Sequence, residues 1–148
     1  MCFSLYAGTT KPLPRKAWDK DARGLSVDPL GERDALVISH FSLPEVQRVG
    51  STAGCGCDFP HVTLTKGEWV GYSEVVVDNP EWETTERLNR EVLVALLNST
   101  GEKTIELYGI WEDGESGESV NVREVISLKR ILDPDFRFKE RGFYMVNL

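Results

Sequence analysis

The chain has 148 residues, 41% of them hydrophobic and 28% charged, the balance of an ordinary folded domain rather than of a disordered or fibrous chain. With 24 acidic residues against 17 basic ones the net charge is −7, which argues against a broad phosphate-binding face and so against a nucleic-acid partner. The longest apolar run, Val92 to Leu97, is far short of the roughly 20 residues that span a bilayer, and the first lysine arrives only at Lys11. Neither a membrane span nor a signal peptide is expected, and the cytoplasm is the expected compartment.

Phe3, Leu5 and Ala7 alternate with Ser4 and Tyr6, which predicts a first strand from Phe3 to Thr9 with Cys2 at its start. Lys11-Pro12-Leu13-Pro14 breaks regular structure, because neither proline can donate a ladder hydrogen bond. Ala17 to Gly24 is polar and reads as loop. Leu25 to Asp28 alternates briefly before Pro29, and Ala35 to Phe41 is β-branched enough to predict a buried strand with His40 near its exit. Val46 and Val49 flank Gln47 and Arg48 in a further extended piece that leads into Gly50-Ser51-Thr52-Ala53-Gly54. Val62 to Leu64 carries a short strand signal, and Glu68 to Val77 reads as strand or ordered loop.

A helix is predicted from Pro80 to Leu97, with Asn79 as N-cap and Pro80 at the first position, where its missing donor costs nothing. Leu88, Val92, Ala95 and Leu96 form its apolar stripe, widened by Leu93 and Leu97. Glu83 with Arg87 and Glu86 with Arg90, each four apart, mark the opposite, solvated flank. Thr104 to Trp111 alternates clearly as a strand, and Glu112 to Gly117 reads as the turn of a hairpin or meander, with Val120 to Ile126 able to return as a strand. Ser127 caps a short helical turn through Leu132, stopped by Pro134. Phe136 and Phe138, then Phe143 to Val146, form two closing strands around Arg141-Gly142. With no repeat, low-complexity tract or linker, residues 1–148 read as a single α+β domain. Its sheet is mostly antiparallel, with one long amphipathic helix packed on it and the cysteine turn at an edge or end.

The chemistry concentrates in Gly54-Cys55-Gly56-Cys57-Asp58-Phe59-Pro60-His61, which holds two of the three cysteines. In a reducing compartment an odd number of cysteines points to free thiols, metal ligands or a redox site rather than a disulfide framework. Zinc takes four tetrahedral ligands, and Cys2, Cys55 and Cys57 with His40 or His61 can supply them. The spacing departs from the usual knuckle, since C-x-C is tighter than the customary pair, and Cys2 must be brought to the turn by sheet pairing. Three alternatives stay open. The turn can be a redox or nucleophilic thiol pair with His61 or His40 as base, although Asp58 disfavours a thiolate at Cys57. Cys2 can be an N-terminal nucleophile once Met1 is removed. The turn can also be purely structural within an interaction module whose protein or small-molecule partner the sequence leaves open.

Met1-Cys2, Leu5-Tyr6, Leu13-Pro14, His40-Phe41-Ser42 and Gly54-Cys55-Gly56-Cys57-Asp58-Phe59 resemble a set of small bacterial proteins of uncharacterised function. In these, Met-Cys opens the chain and a Gly-Cys-Gly-Cys-Gly-Phe turn follows. The resemblance covers the first 60 residues best and carries no activity. It implies that Cys2 belongs with the turn and favours His40 over His61 as its partner; Asp58 stands where those proteins have glycine.

Overall fold

Seven consecutive residues, Phe3–Thr9, form strand β1, and all seven are buried because the strand lies inside a six-stranded sheet covered on both faces. The structure, a computed structural model, describes residues 2–22, 24–71, 80–111 and 119–148. After β1 the chain forms β2 (Ser26–Asp28), a 3-10 helix (Glu32–His40), β3 (Glu45–Gly50), β4 (His61–Thr65) and β5 (Glu68–Gly71). Helix α1 (Pro80–Asn98) follows, then β6 (Thr104–Trp111), β7 (Val122–Ser127), a second 3-10 helix (Leu128–Leu132), β8 (Phe138–Lys139) and β9 (Gly142–Asn147). The large sheet has the order β2-β3-β1-β6-β9-β7, and β5-β4-β8 form a smaller one. Pairing is antiparallel except between β7 and β9 and between β4 and β8.

The period-two alternation of β1 and β6 sorts their side chains to two cores. Phe3, Leu5 and Ala7 join Ile105, Leu107, Tyr144 and Val146 on the face that receives Leu93 and Leu97 of α1. Burying each of those two leucines contributes about 1.5–3 kcal/mol. Tyr6, Tyr108, Ile110 and Phe143 form the second core on the other face, under Val37 of the first 3-10 helix. An α+β fold with one long helix on a mostly antiparallel sheet is what the sequence patterns predict. Among the described residues no helix is long and apolar enough to cross a membrane.

Four local expectations are corrected. Residues 35–41 are not a strand: Asp34 accepts the Gly31 N–H at 3.0 Å and the Tyr6 hydroxyl at 2.6 Å, which fixes a helical start, and Val37 alone of the segment's aliphatic residues is buried. Leu36 and Ile38 are 63% and 51% exposed, so β-propensity is outweighed by that polar anchor. On α1 the buried line runs through Asn89, Arg90, Leu93 and Leu97, leaving Ala95 exposed and taking Arg90 out of its expected solvated flank. β7 does not return along β6, because β9 lies between them. Nor do β8 and β9 close together, since β8 joins the smaller sheet beside β4. The hairpin tip at 112–117, the Asn79 cap and the extended segment beyond Gly71 lie outside the described residues.

The link from the first 3-10 helix to β3 is fixed by one buried carboxylate. Glu106 accepts the Ser42 N–H at 3.1 Å, the Ser42 hydroxyl at 2.8 Å and the Leu43 N–H at 2.6 Å. An amide at this position would turn a donor toward those donors. Glu106→Gln is therefore expected to lower stability by about 2–3 kcal/mol, read as a lower urea midpoint with an unchanged m-value.

Candidate metal centre

The turn after β3 is tied down before it reaches the cysteines. Ser51 donates its N–H and its hydroxyl to the Cys55 carbonyl, and the Gly54 N–H closes back on the Ser51 carbonyl at 2.9 Å. Gly54 has φ +89°, a left-handed conformation that suits glycine. Helix α1 holds the same loop through Asn89, which is fully buried. Its Oδ1 accepts the Thr52 N–H at 3.0 Å, and its Nδ2 donates to the Thr52 hydroxyl at 3.0 Å and to the Thr85 carbonyl at 2.9 Å. Trp18 Nε1 donates to the Thr52 carbonyl at 3.1 Å, and its indole lies against Gly54.

The cysteines then meet the start of β1. The Gly56 N–H donates to the Phe3 carbonyl at 2.8 Å, and the Phe3 N–H donates to Cys57 Sγ at 3.3 Å. A Cβ at Gly56 would stand 2.4 Å from the Phe3 oxygen, so only glycine permits this approach. The Cys57 N–H points at Cys55 Sγ, 3.5 Å away. As a result the sulfurs of Cys2, Cys55 and Cys57, all half-buried, lie within 4.8 Å of one another. Three thiolates on one tetrahedral ion, with metal–sulfur bonds of about 2.3 Å, stand about 3.8 Å apart. The spacing suits a single ion after small side-chain rotations.

Neither histidine belongs to this cluster. His40 lies on the opposite face of the large sheet, its ring 4.7 Å from that of Tyr108. His61 is nearer, at the start of β4, with its ring stacked 4.4 Å from Phe3 and edge-on to Trp111. Its Nδ1 lies 2.7 Å from the Phe59 carbonyl and donates to it, and its buried Nε2 has no hydrogen-bond partner among the described residues. A cavity of about 10 Å³, room for one water, is bounded by His61, Cys57, Asp58, Trp82 and Glu86. The resemblance that favours His40 is not matched by the geometry, which sets His61 beside Cys57 and His40 across the sheet.

Burial governs the electrostatics here. It pushes the Cys57 thiol up to about 12, opposed by the Phe3 N–H and reinforced by the hydrogen bond and charge of Cys55 and by the charge of Cys2. Burial likewise raises the Asp58 carboxyl, against a hydrogen bond from Thr52, and lowers His61, which stays neutral.

Sequence reasoning singles out the cysteines but misses Ser51, Asn89 and Trp18, which hold the turn. Asn89 carries a signal in retrospect: it lies four residues before Leu93 on the stripe that continues to Leu97, an amide where an aliphatic residue is due. No family model, curated protein or solved structure matches the chain.

Two outcomes test this geometry. Gly56→Ala forces the turn off β1 and is expected to cost about 1–3 kcal/mol in denaturant unfolding. In reduced, metal-free protein, the raised thiol pKa makes the unfolded chain ionise first. The Cys57 contribution is then whole below about pH 8.5 and lost as pH rises toward about 12. An unfolding series across that range should show this decline in the wild type and less of it in Cys57→Ala.

Proposed function

We propose that the chain is a small cytoplasmic protein that binds one metal ion, zinc, through the thiolates of Cys2, Cys55 and Cys57. The observation that carries this reading is the convergence of three sulfurs from distant chain positions within 4.8 Å. Backbone hydrogen bonds through Phe3 and Gly56 support it, because they hold the donors close before any ion arrives, which lowers the ordering cost of binding. A divalent cation offsets the mutual repulsion of the sulfurs and favours their deprotonated form.

Three protein ligands leave a fourth tetrahedral position. Among the described residues no histidine or carboxylate joins the cluster, so that position falls to water or to an outside ligand. The thiol-redox alternative is less well supported. A Cys57 thiol held up near 12 is a poor nucleophile at neutral pH, and a Cys55–Cys57 bridge closes a very small ring. The acidic balance of the chain supports a partner other than nucleic acid.

Purification under reducing conditions followed by elemental analysis tests the reading. One zinc per chain is expected, with three thiols shielded from alkylation until a strong chelator is added. Cys2→Ser, Cys55→Ser and Cys57→Ser should each weaken zinc at least about tenfold in chelator competition. Copper at that stoichiometry would keep the site and change its ion, since soft thiolates also suit copper(I). A chain that takes up no metal and leaves three alkylatable thiols in excess zinc would overturn it.

A further inference from the structure

Helix α1 carries a second cavity, of about 300 Å³, which shares Glu86 with the small cavity beside Cys57 but is not lined by a cysteine. Its charged lining comprises Arg87, Arg90 and Arg137 against Glu83 and Glu86, a positive excess in a chain of net charge −7. Leu132 and Pro134 give it an apolar wall. Its volume lies at the lower end of the range for small-ligand pockets.

Two guanidiniums share one carboxylate there. Glu86 Oε2 stands 3.3 Å from Arg137 and 3.6 Å from Arg90. The remaining hydrogen bonds of the pair go to backbone: both arginines donate to the carbonyls of Pro134 and Phe136. Arg90 is only 5% exposed, and its Nε is buried without an acceptor among the described residues. Burial, and then the charge of Arg137, hold the Arg90 pKa below its ordinary value. Two like charges this close, one of them almost dry, share the Glu86 carboxylate, and the attraction of Glu86, Asp135 and Asp133 does not offset the burial of Arg90 and its repulsion from Arg137. Arg87, on the exposed side of the helix, adds a third fork at the cavity mouth.

We propose that this cavity binds a small organic oxyanion, a phosphate monoester or a carboxylate, gripped by Arg137 and Arg87 with Arg90 supplying fixed positive charge behind them. Guanidinium forks match both oxyanions in bidentate fashion, and the wall of Leu132 and Pro134 suits the ligand's carbon portion. The proposal does not rest on the metal reading, and either can fail while the other holds.

Calorimetric titration of the full chain with inorganic phosphate, and separately with acetate, tests it at an ionic strength held constant with chloride. Saturable one-site binding of phosphate identifies the phosphate class, and of acetate the carboxylate class. Binding should weaken at least about tenfold in Arg137→Gln and about threefold in Arg87→Gln. Circular dichroism establishes which variants fold; if Arg137→Gln does not, the exposed Arg87→Gln decides. No saturation by either anion into the tens of millimolar, or undiminished binding in the folded variants, would overturn the proposal.

Discussion

The contact between Phe3 and the Gly56–Cys57 backbone is the constraint on which the candidate site depends. One residue of β1 gives its carbonyl to Gly56 and its N–H to the Cys57 sulfur, while its side chain enters the main core and stacks on His61. The position of Cys2 follows, since it is the next residue outward. A feature that looks like a local turn is thus an extension of the central strand's hydrogen bonding, and its sulfurs are positioned by the same pairing that builds the sheet. A self-contained knuckle has no such dependence, because its ligands and its turn lie together in sequence.

The frame around this contact is polar and hidden. Asn89 reaches from α1 to the loop ahead of Cys55, and Ser51 gathers the loop onto the Cys55 carbonyl. Buried amides and hydroxyls of this kind are costly unless every group is matched, and matched they fix one arrangement rather than a family of them. The site is therefore clasped from two directions, by the strand that carries Cys2 and by the helix that packs over the same face. Arg90, one residue after Asn89 on that helix, turns toward the carbonyls of Pro134 and Phe136 instead. Neighbouring positions of α1 thus serve the cysteine loop and the arginine cavity separately.

What was legible in the sequence is the strongly periodic part. The strands at 3–9 and 104–111 and the helix from Pro80 stand where hydrophobic periodicity predicts them, because their apolar residues repeat at the spacing of the element they form. The segment at 35–41 reads as a strand because Ala-Leu-Val-Ile carries β-propensity, whereas its conformation is set by Asp34 bonding to Gly31 and to Tyr6 on a distant strand. Likewise the β6-β9-β7 order depends on a parallel pairing that no turn chemistry announces. At the site, residue types gave the three thiols, but the exclusion of His40 is a matter of which sheet face the first 3-10 helix covers. Periodicity within one segment does not encode that.

The central place of β1 has a consequence during synthesis. β1 is made before β6 and β9: in the sheet Phe3 lies opposite Trp111, and β9, which completes the other side of β6, comes later still in the chain. An apolar strand that β3 covers early on one edge must therefore wait for most of the polypeptide before β6 exists to cover the other. Through that interval Cys2 travels with it, its place beside Cys55 and Cys57 dependent on a strand that is not yet covered on both edges.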